Sequence, residues 1–274
     1  MHDVVVYLEQ SRGTMMGQFE GKVLIVTGGG RGIGAATAIE FVRRGGRVAL
    51  GDVVSETGQD TVRTIGADKA IFLETDVRNS EACCALVDAA VKRFGSVDYL
   101  VNSAIKMAPG LLVDLKLEDW CTVLDVGLTG TFLMTQALGR WLIANQRPGA
   151  VVNLSSMAGF QPYGASGAYS TVKAALLMLG EHFAIEWATN GIRVNSIAPG
   201  HIETPLTAYL KDPAIKQARA AVTPLGRVGQ TSDVVGGILF LLSDEASYVT
   251  ASQLVIDGGV TKSIFNHFPG RKWS

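Results

Sequence analysis

The chain reads as an α/β protein built on one doubly wound, mostly parallel seven-stranded sheet with helices on both faces. Three observations lead there. From residue 20 onward, short β-branched runs alternate with longer helical stretches. The strand runs are apolar throughout rather than alternating, as strands covered on both faces are. A glycine-rich loop stands directly between the first strand and the first helix. Right-handed strand–helix–strand units of this size place helices on both sides of a parallel sheet.

The elements follow in order. Strands are expected at 22–27, 47–51, 70–74, 97–101, 150–154, 193–197 and 253–256. Helices are expected at 34–44, 55–65, 80–94, 117–145, 168–190 and 231–243, each with apolar residues at helical spacing. Residues 205–226, bounded by Pro205 and Gly226, interrupt the last unit and suit a substrate lid. No Pro/Ser-rich linker or repeat divides the chain, so residues 18–262 read as one domain. Residues 1–17 read as a flexible extension without the features of a signal peptide, and 263–274 as a tail carrying Phe265, Phe268 and Trp273.

Composition excludes several classes. The 274 residues carry 24 Lys+Arg against 25 Asp+Glu, a net charge of −1 that gives no electrostatic reason to expect nucleic acid or an anionic membrane surface. Charged residues are 18% and hydrophobic residues 47%, against a disordered chain. The longest apolar runs, such as 234–242, are core-sized, so no membrane partner is expected. Three Cys make no disulfide framework and point to the cytoplasm. The four His and the adjacent Cys83 and Cys84 have no metal-ligand spacing, so no metal site is expected.

Two motifs concern a dinucleotide. In the loop 27–34, TGGGRGIG, Gly28, Gly32 and Gly34 permit a tight turn, close approach to a pyrophosphate and close helix–strand packing. The helix N-terminus behind them offers free N–H groups to phosphate. Asp52, ending the second strand, suits the adenosine ribose hydroxyls and repels a 2′-phosphate. Arg31 pulls the other way, but the like-charge clash at Asp52 decides for NAD over NADP.

A third motif carries the chemistry. Tyr169 and Lys173 lie four apart in YSTVK, on one helix face. A phenol has a pKa near 10, and a neighbouring ammonium favours the phenolate. Ser156 follows the fifth strand, at the carboxyl end of the sheet where ligands bind, and its hydroxyl can orient a substrate hydroxyl or carbonyl. Ile105, Met107, His201, Leu206 and Tyr209 are the candidate substrate wall, and a mostly apolar one.

In order, TGGGRGIG, Asp76-Val77, Asn102-Ser103-Ala104, Ser156, YSTVK, PGHIET (199–204) and IDGG (256–259) resemble the short-chain dehydrogenase/reductase family over residues 18–260. The resemblance implies a Rossmann fold. It implies Tyr169 as acid/base, Ser156 as substrate-orienting hydroxyl, and Lys173 as ribose-binding, pKa-lowering group. It places Asp76 and Val77 against adenine, with Arg31, Ile33, Asn102, Pro199 and Gly200 along the cofactor. The backbone of Ile202 and the hydroxyl of Thr204 would hold the carboxamide. It also implies a homo-oligomer, usually a tetramer.

Two positions depart from the family pattern. Gly127 stands where an Asn usually anchors a relay water; room for a water with two or more polar partners, or a helix distortion near Lys173 that keeps a backbone carbonyl free for it, would rebuild the relay. Ile105 replaces a glycine, and a β-branched residue is costly at positive φ, so the loop is expected to differ locally. The function expected is NAD(H)-dependent interconversion of a secondary alcohol and a ketone. The alternatives are a dinucleotide-binding redox sensor or scaffold, and an epimerase or dehydratase with bound cofactor.

Overall fold

The computed structural model describes residues 17–263; the extension and the tail expected at the two ends lie outside the described residues, except Gly17 and Ser263. Its strands are β1 (Val23–Thr27), β2 (Arg47–Asp52), β3 (Ala70–Glu74), β4 (Tyr99–Asn102), β5 (Gly149–Leu154), β6 (Ile192–Pro199) and β7 (Gln253–Ile256). Every pairing is parallel, in the order β3-β2-β1-β4-β5-β6-β7. The chain reverses its winding between β1 and β4, opening a crevice at the carboxyl ends of the strands. β1, β4 and β5 are buried throughout, as their unbroken apolar runs require.

The helices are α1 (Gly32–Arg43), α2 (Ser55–Ile65), α3 (Ser80–Phe94), α4 (Leu117–Leu124), α5 (Gly130–Ala144), α6 (Tyr169–Trp187), α7 (Pro213–Ala221) and α8 (Thr231–Leu242). One apolar cluster joins β1 and β2 to Phe41 of α1 and Ile238 and Leu239 of α8; a second, on the opposite face, joins the sheet to Leu86 of α3, Leu138 of α5 and Phe183 of α6. A third, smaller cluster holds Val123 of α4 against Val172 and Leu176 of α6. It lies directly behind Tyr169 and Lys173.

The helix expected at 117–145 is not uniform. Between α4 and α5, Asp125–Thr129 winds as a π-helix, a local widening that is frequent at functional sites. Read as one run, Leu117–Ala144 is long enough to span a bilayer and contains an 18-residue window with a mean hydropathy of 1.2, although no single apolar run in the sequence suggested it. The side chains of Met134, Leu138 and Leu142 are instead buried in the second cluster, the place of a core helix.

Candidate active site

A cavity of about 850 Å³ opens at the carboxyl ends of the strands. Its floor is the β1–α1 loop. Gly28 has φ +63°, and a Cβ there would lie 2.9 Å from the Ala104 backbone nitrogen, so the loop can approach β4 this closely only with glycine. Arg31, at the N-cap of α1, provides no side-chain cap, which leaves the first-turn N–H groups without that partner. Such an end suits phosphate oxygens.

Asp52 is positioned by backbone. Its Oδ2 accepts from the Gly30 N–H at 3.0 Å and its Oδ1 from the Val54 N–H at 3.1 Å. Further along, Asp76 forms an exposed bidentate pair with Arg78, and that guanidinium holds the Asp76 carboxyl below its ordinary range. The glycine cradle, the uncapped helix end and the fixed acid together fit a dinucleotide.

Ser156, Tyr169 and Lys173 meet at the other end. Extended backbone at Ser156 lets its Oγ accept from the Ala158 N–H at 3.1 Å. Tyr169 is the first residue of α6, where the helix dipole favours an anion. Lys173 is buried, with its Nζ donating to the Leu154 carbonyl at 2.5 Å and lying 5.6 Å from the centre of the Tyr169 ring. The Ser155 hydroxyl donates to the Lys173 carbonyl at 2.7 Å and fixes that turn of α6 to β5.

Burial is the largest influence on both groups. Burial pushes the Tyr169 phenol up to about 12, against a smaller opposing pull from Ser156. Burial also drives Lys173 down to about 7, so it opposes the charged form of both groups.

Of the expected residues, Gly28, Arg31, Gly32, Ile33, Asp52, Asp76, Val77, Ile105, Ser156, Tyr169, Lys173, Pro199, Gly200, Ile202, Thr204 and Leu206 line this one cavity. Five do not. Gly34 packs under the loop, with the Gly28 carbonyl oxygen 2.3 Å from where a Cβ would project. Asn102 turns into the sheet, donating to Thr135 and Asn153 at 2.9 Å each. Met107 and Tyr209 lie outside the lining. His201 turns toward α7: its Nε2 lies 3.4 Å from Arg219, while burial and that guanidinium lower its pKa.

At Ile105 the backbone is one that a β-branched residue tolerates, as a loop that differs locally requires. The positive-φ non-glycines among the described residues are Gln146, Ala165 and Ala251, so Ile105 carries no such strain. The space beside Gly127 is filled: a Cβ there would lie 2.7 Å from Val172 Cγ1 and 2.8 Å from Ile105 Cδ1. Side chains, not a water, occupy it. Residues the sequence did not single out include Thr75, Lys106, Thr122 and Val126 in the lining, and Tyr163, whose ring lies 6.4 Å from that of Tyr169. None carries a motif signal, because each reaches the site from a loop or from the irregular helix.

A family model described as enoyl-(acyl carrier protein) reductase matches residues 28–261. The chain is 39% identical over 247 residues to the 3-oxoacyl-[acyl-carrier-protein] reductase of Thermotoga maritima, covering 89% of this chain and 99% of that one. It is 39% identical over 247 residues to the cis-4-hydroxycyclohexanecarboxylate dehydrogenase of Sinomonas cyclohexanicum, covering 89% and 98%. Among solved structures it resembles levodione reductase, with a TM-score of 0.83 at 30% identity over 89% of this chain and 99% of that one.

Proposed function

The chain belongs to the short-chain dehydrogenase/reductase family, an oxidoreductase family of alcohols and ketones, and from that membership we propose an NAD(H)-dependent enzyme acting on a mostly apolar secondary alcohol or its ketone. The observation that carries this reading is the convergence of Ser156, Tyr169 and Lys173 in one cavity with the glycine loop and Asp52. A nicotinamide bound there would take or return the hydride. Gly28 and the first turn of α1 would hold the pyrophosphate, and Asp52 the adenosine ribose. Lys173 would hold the second ribose.

The residues themselves handle the proton. Ser156 and Tyr169 line the same cavity, and the substrate oxygen would sit between their two hydroxyls. In oxidation Tyr169 first gives up its proton through the cavity, and the phenolate then takes the substrate hydroxyl proton as the C–H hydride leaves; in reduction the Tyr169 phenol gives its proton to the carbonyl oxygen and recovers one from solvent. Ile105 and Leu206 give the substrate an apolar wall. The segment between β6 and α8 forms the lid, tied down where Lys216 donates to Glu203 at 2.8 Å. We place the enzyme in the cytoplasm, on its three free cysteines, as a tetramer, on the exposed Phe132, Met178 and Ile185 of α5 and α6.

The test is NADH formation with a panel of racemic cyclic and acyclic secondary alcohols, with Tyr169→Phe alongside. Turnover in the wild type, NADH binding intact in both, and a loss of about 10²–10⁴-fold in the variant are expected. Retention of more than about a tenth of wild-type activity in Tyr169→Phe overturns the acid/base assignment. NADH binding with no stoichiometric NADH formation across the panel favours the sensor or the epimerase.

A further inference from the structure

Gly127 is locally unfavourable, since glycine inside a helix costs about 0.8–1.0 kcal/mol against alanine. The reason for it lies across the interface with α6. The two atoms that exclude a Cβ there belong to Val172 and Ile105. Tyr169, Val172, Lys173 and Leu176 follow the i, i+3, i+4, i+7 spacing of one helix stripe. Val172 and Leu176 are buried in the third apolar cluster, and Ile105 packs against that cluster from the β4–α4 loop while also lining the cavity. The polar groups nearby are engaged. The Gly127 carbonyl accepts from the Thr131 hydroxyl at 2.8 Å, and Lys173 Nζ points to β5 through Leu154.

We propose that Ile105 is a positioning residue for the Tyr169–Lys173 pair: seated beside Gly127, it closes the helix side of the pair with hydrocarbon, and protons reach and leave Lys173 from the cavity side alone. This rests on the acid/base reading of Tyr169 and Lys173 given above. A wall of this kind keeps water from solvating either charged form, in keeping with the direction in which burial moves both groups. Ile105 also lines the cavity that holds the Tyr169 and Ser156 hydroxyls, so shortening it extends the cavity's water toward the pair. The phenolate then forms more readily.

The experiment needs no substrate. Phenolate absorbance at the ordinary phenol pKa of about 10 is measured in the full-length ligand-free protein, and the same protein carrying Tyr169→Phe is subtracted, isolating Tyr169. Ile105→Ala is expected to raise the Tyr169 phenolate fraction about tenfold, one pKa unit. Val172→Ala, which opens the same wall from α6, is expected to raise it in the same direction, and Ile105→Val, which keeps the wall, to leave it at the wild-type level. Circular dichroism identifies the folded variants. An unchanged phenolate fraction in either folded alanine variant overturns the proposal. That failure is separable from failure of the acid/base reading, which is decided by turnover in Tyr169→Phe.

Discussion

Asp52 is anchored through both carboxylate oxygens to backbone N–H groups, so it cannot swing away from an incoming phosphate without breaking two hydrogen bonds. Arg31 lines the same cavity and forms no ion pair among the described residues. Removing the acid therefore leaves a guanidinium able to engage a 2′-phosphate. Asp52→Ala is expected to raise the ratio of kcat/KM for NADP over NAD at least about tenfold, a change of about 1.4 kcal/mol, in steady-state kinetics with both cofactors. A wild type that prefers NADP sinks the role given to Asp52.

Lys173 carries a pH signature. Its folded-state pKa is driven from 10.5 down to about 7 by burial, so between those values the unfolded chain binds more protons than the folded one. Stability from this group is full above the unfolded value and is lost as pH falls through the folded one. Urea denaturation of the ligand-free protein at neutral and mildly alkaline pH is expected to show wild-type stability gaining on Lys173→Met as pH rises. A stability difference independent of pH removes the buried-ammonium account. The Tyr–Lys spacing was legible in the sequence. The dominance of burial over their mutual field was not, because it depends on the loops and strand that close over them.

The irregular helix between Leu117 and Ala144 shows where periodicity stops informing. Its apolar repeat is plain in the sequence, and Gly127 stands out in it as a local cost. The π turn at Asp125–Thr129 and the contact with Ile105 are tertiary, joining a loop, a helix and the face of α6. On the sequence, the vacated side chain left room for a water or a helix distortion; the structure has a π turn at Gly127 and packed hydrocarbon at its Cβ position. Gly127→Ala gains about 0.8–1.0 kcal/mol of helix propensity but must push aside two side chains, at a typical overpacking cost of about 1–3 kcal/mol. The net expectation is a lowered Tm. In an Ile105→Ala background the same change meets less, so its cost shrinks or reverses. Thermal denaturation of the four proteins in this cycle measures the coupling, and strictly additive effects count against the contact.

Over the whole molecule, the apolar strand runs and the helix spacing made the sheet and its two covered faces readable, because burial on both sides writes itself into every residue of a parallel strand. The glycine loop and YSTVK then located the cavity at the carboxyl ends. What the sequence leaves unsaid is how the last units are locked to the rest, and Arg193 shows why. It sits in β6 with no motif around it. Yet its guanidinium donates to the carbonyls of Leu241 at 2.7 Å, Ser243 at 3.0 Å and Leu242 at 3.2 Å, satisfying the C-terminus of α8. The Leu241 and Leu242 carbonyls have no intrahelical partner, and a cation is favoured at that end of the dipole. Burial pushes the guanidinium pKa below its ordinary value, so the site desolvates a charge to make these bonds. Arg193→Met keeps most of the stem and orphans the Leu241 and Leu242 carbonyls, while Ser243 still accepts from the Ala246 N–H, at a cost of about 2–4 kcal/mol from lost charged hydrogen bonds. For a domain of this size that corresponds to a fall in Tm of about 4–16 °C. Arg193 lies outside the cavity lining, so NADH affinity below the transition should stay within about twofold of wild type, the span of a surface-level change of about 0.4 kcal/mol. Calorimetry and NADH titration on the same preparation separate the two effects. A Tm within about 1 °C of wild type means that α8 is held to the sheet by its apolar face alone.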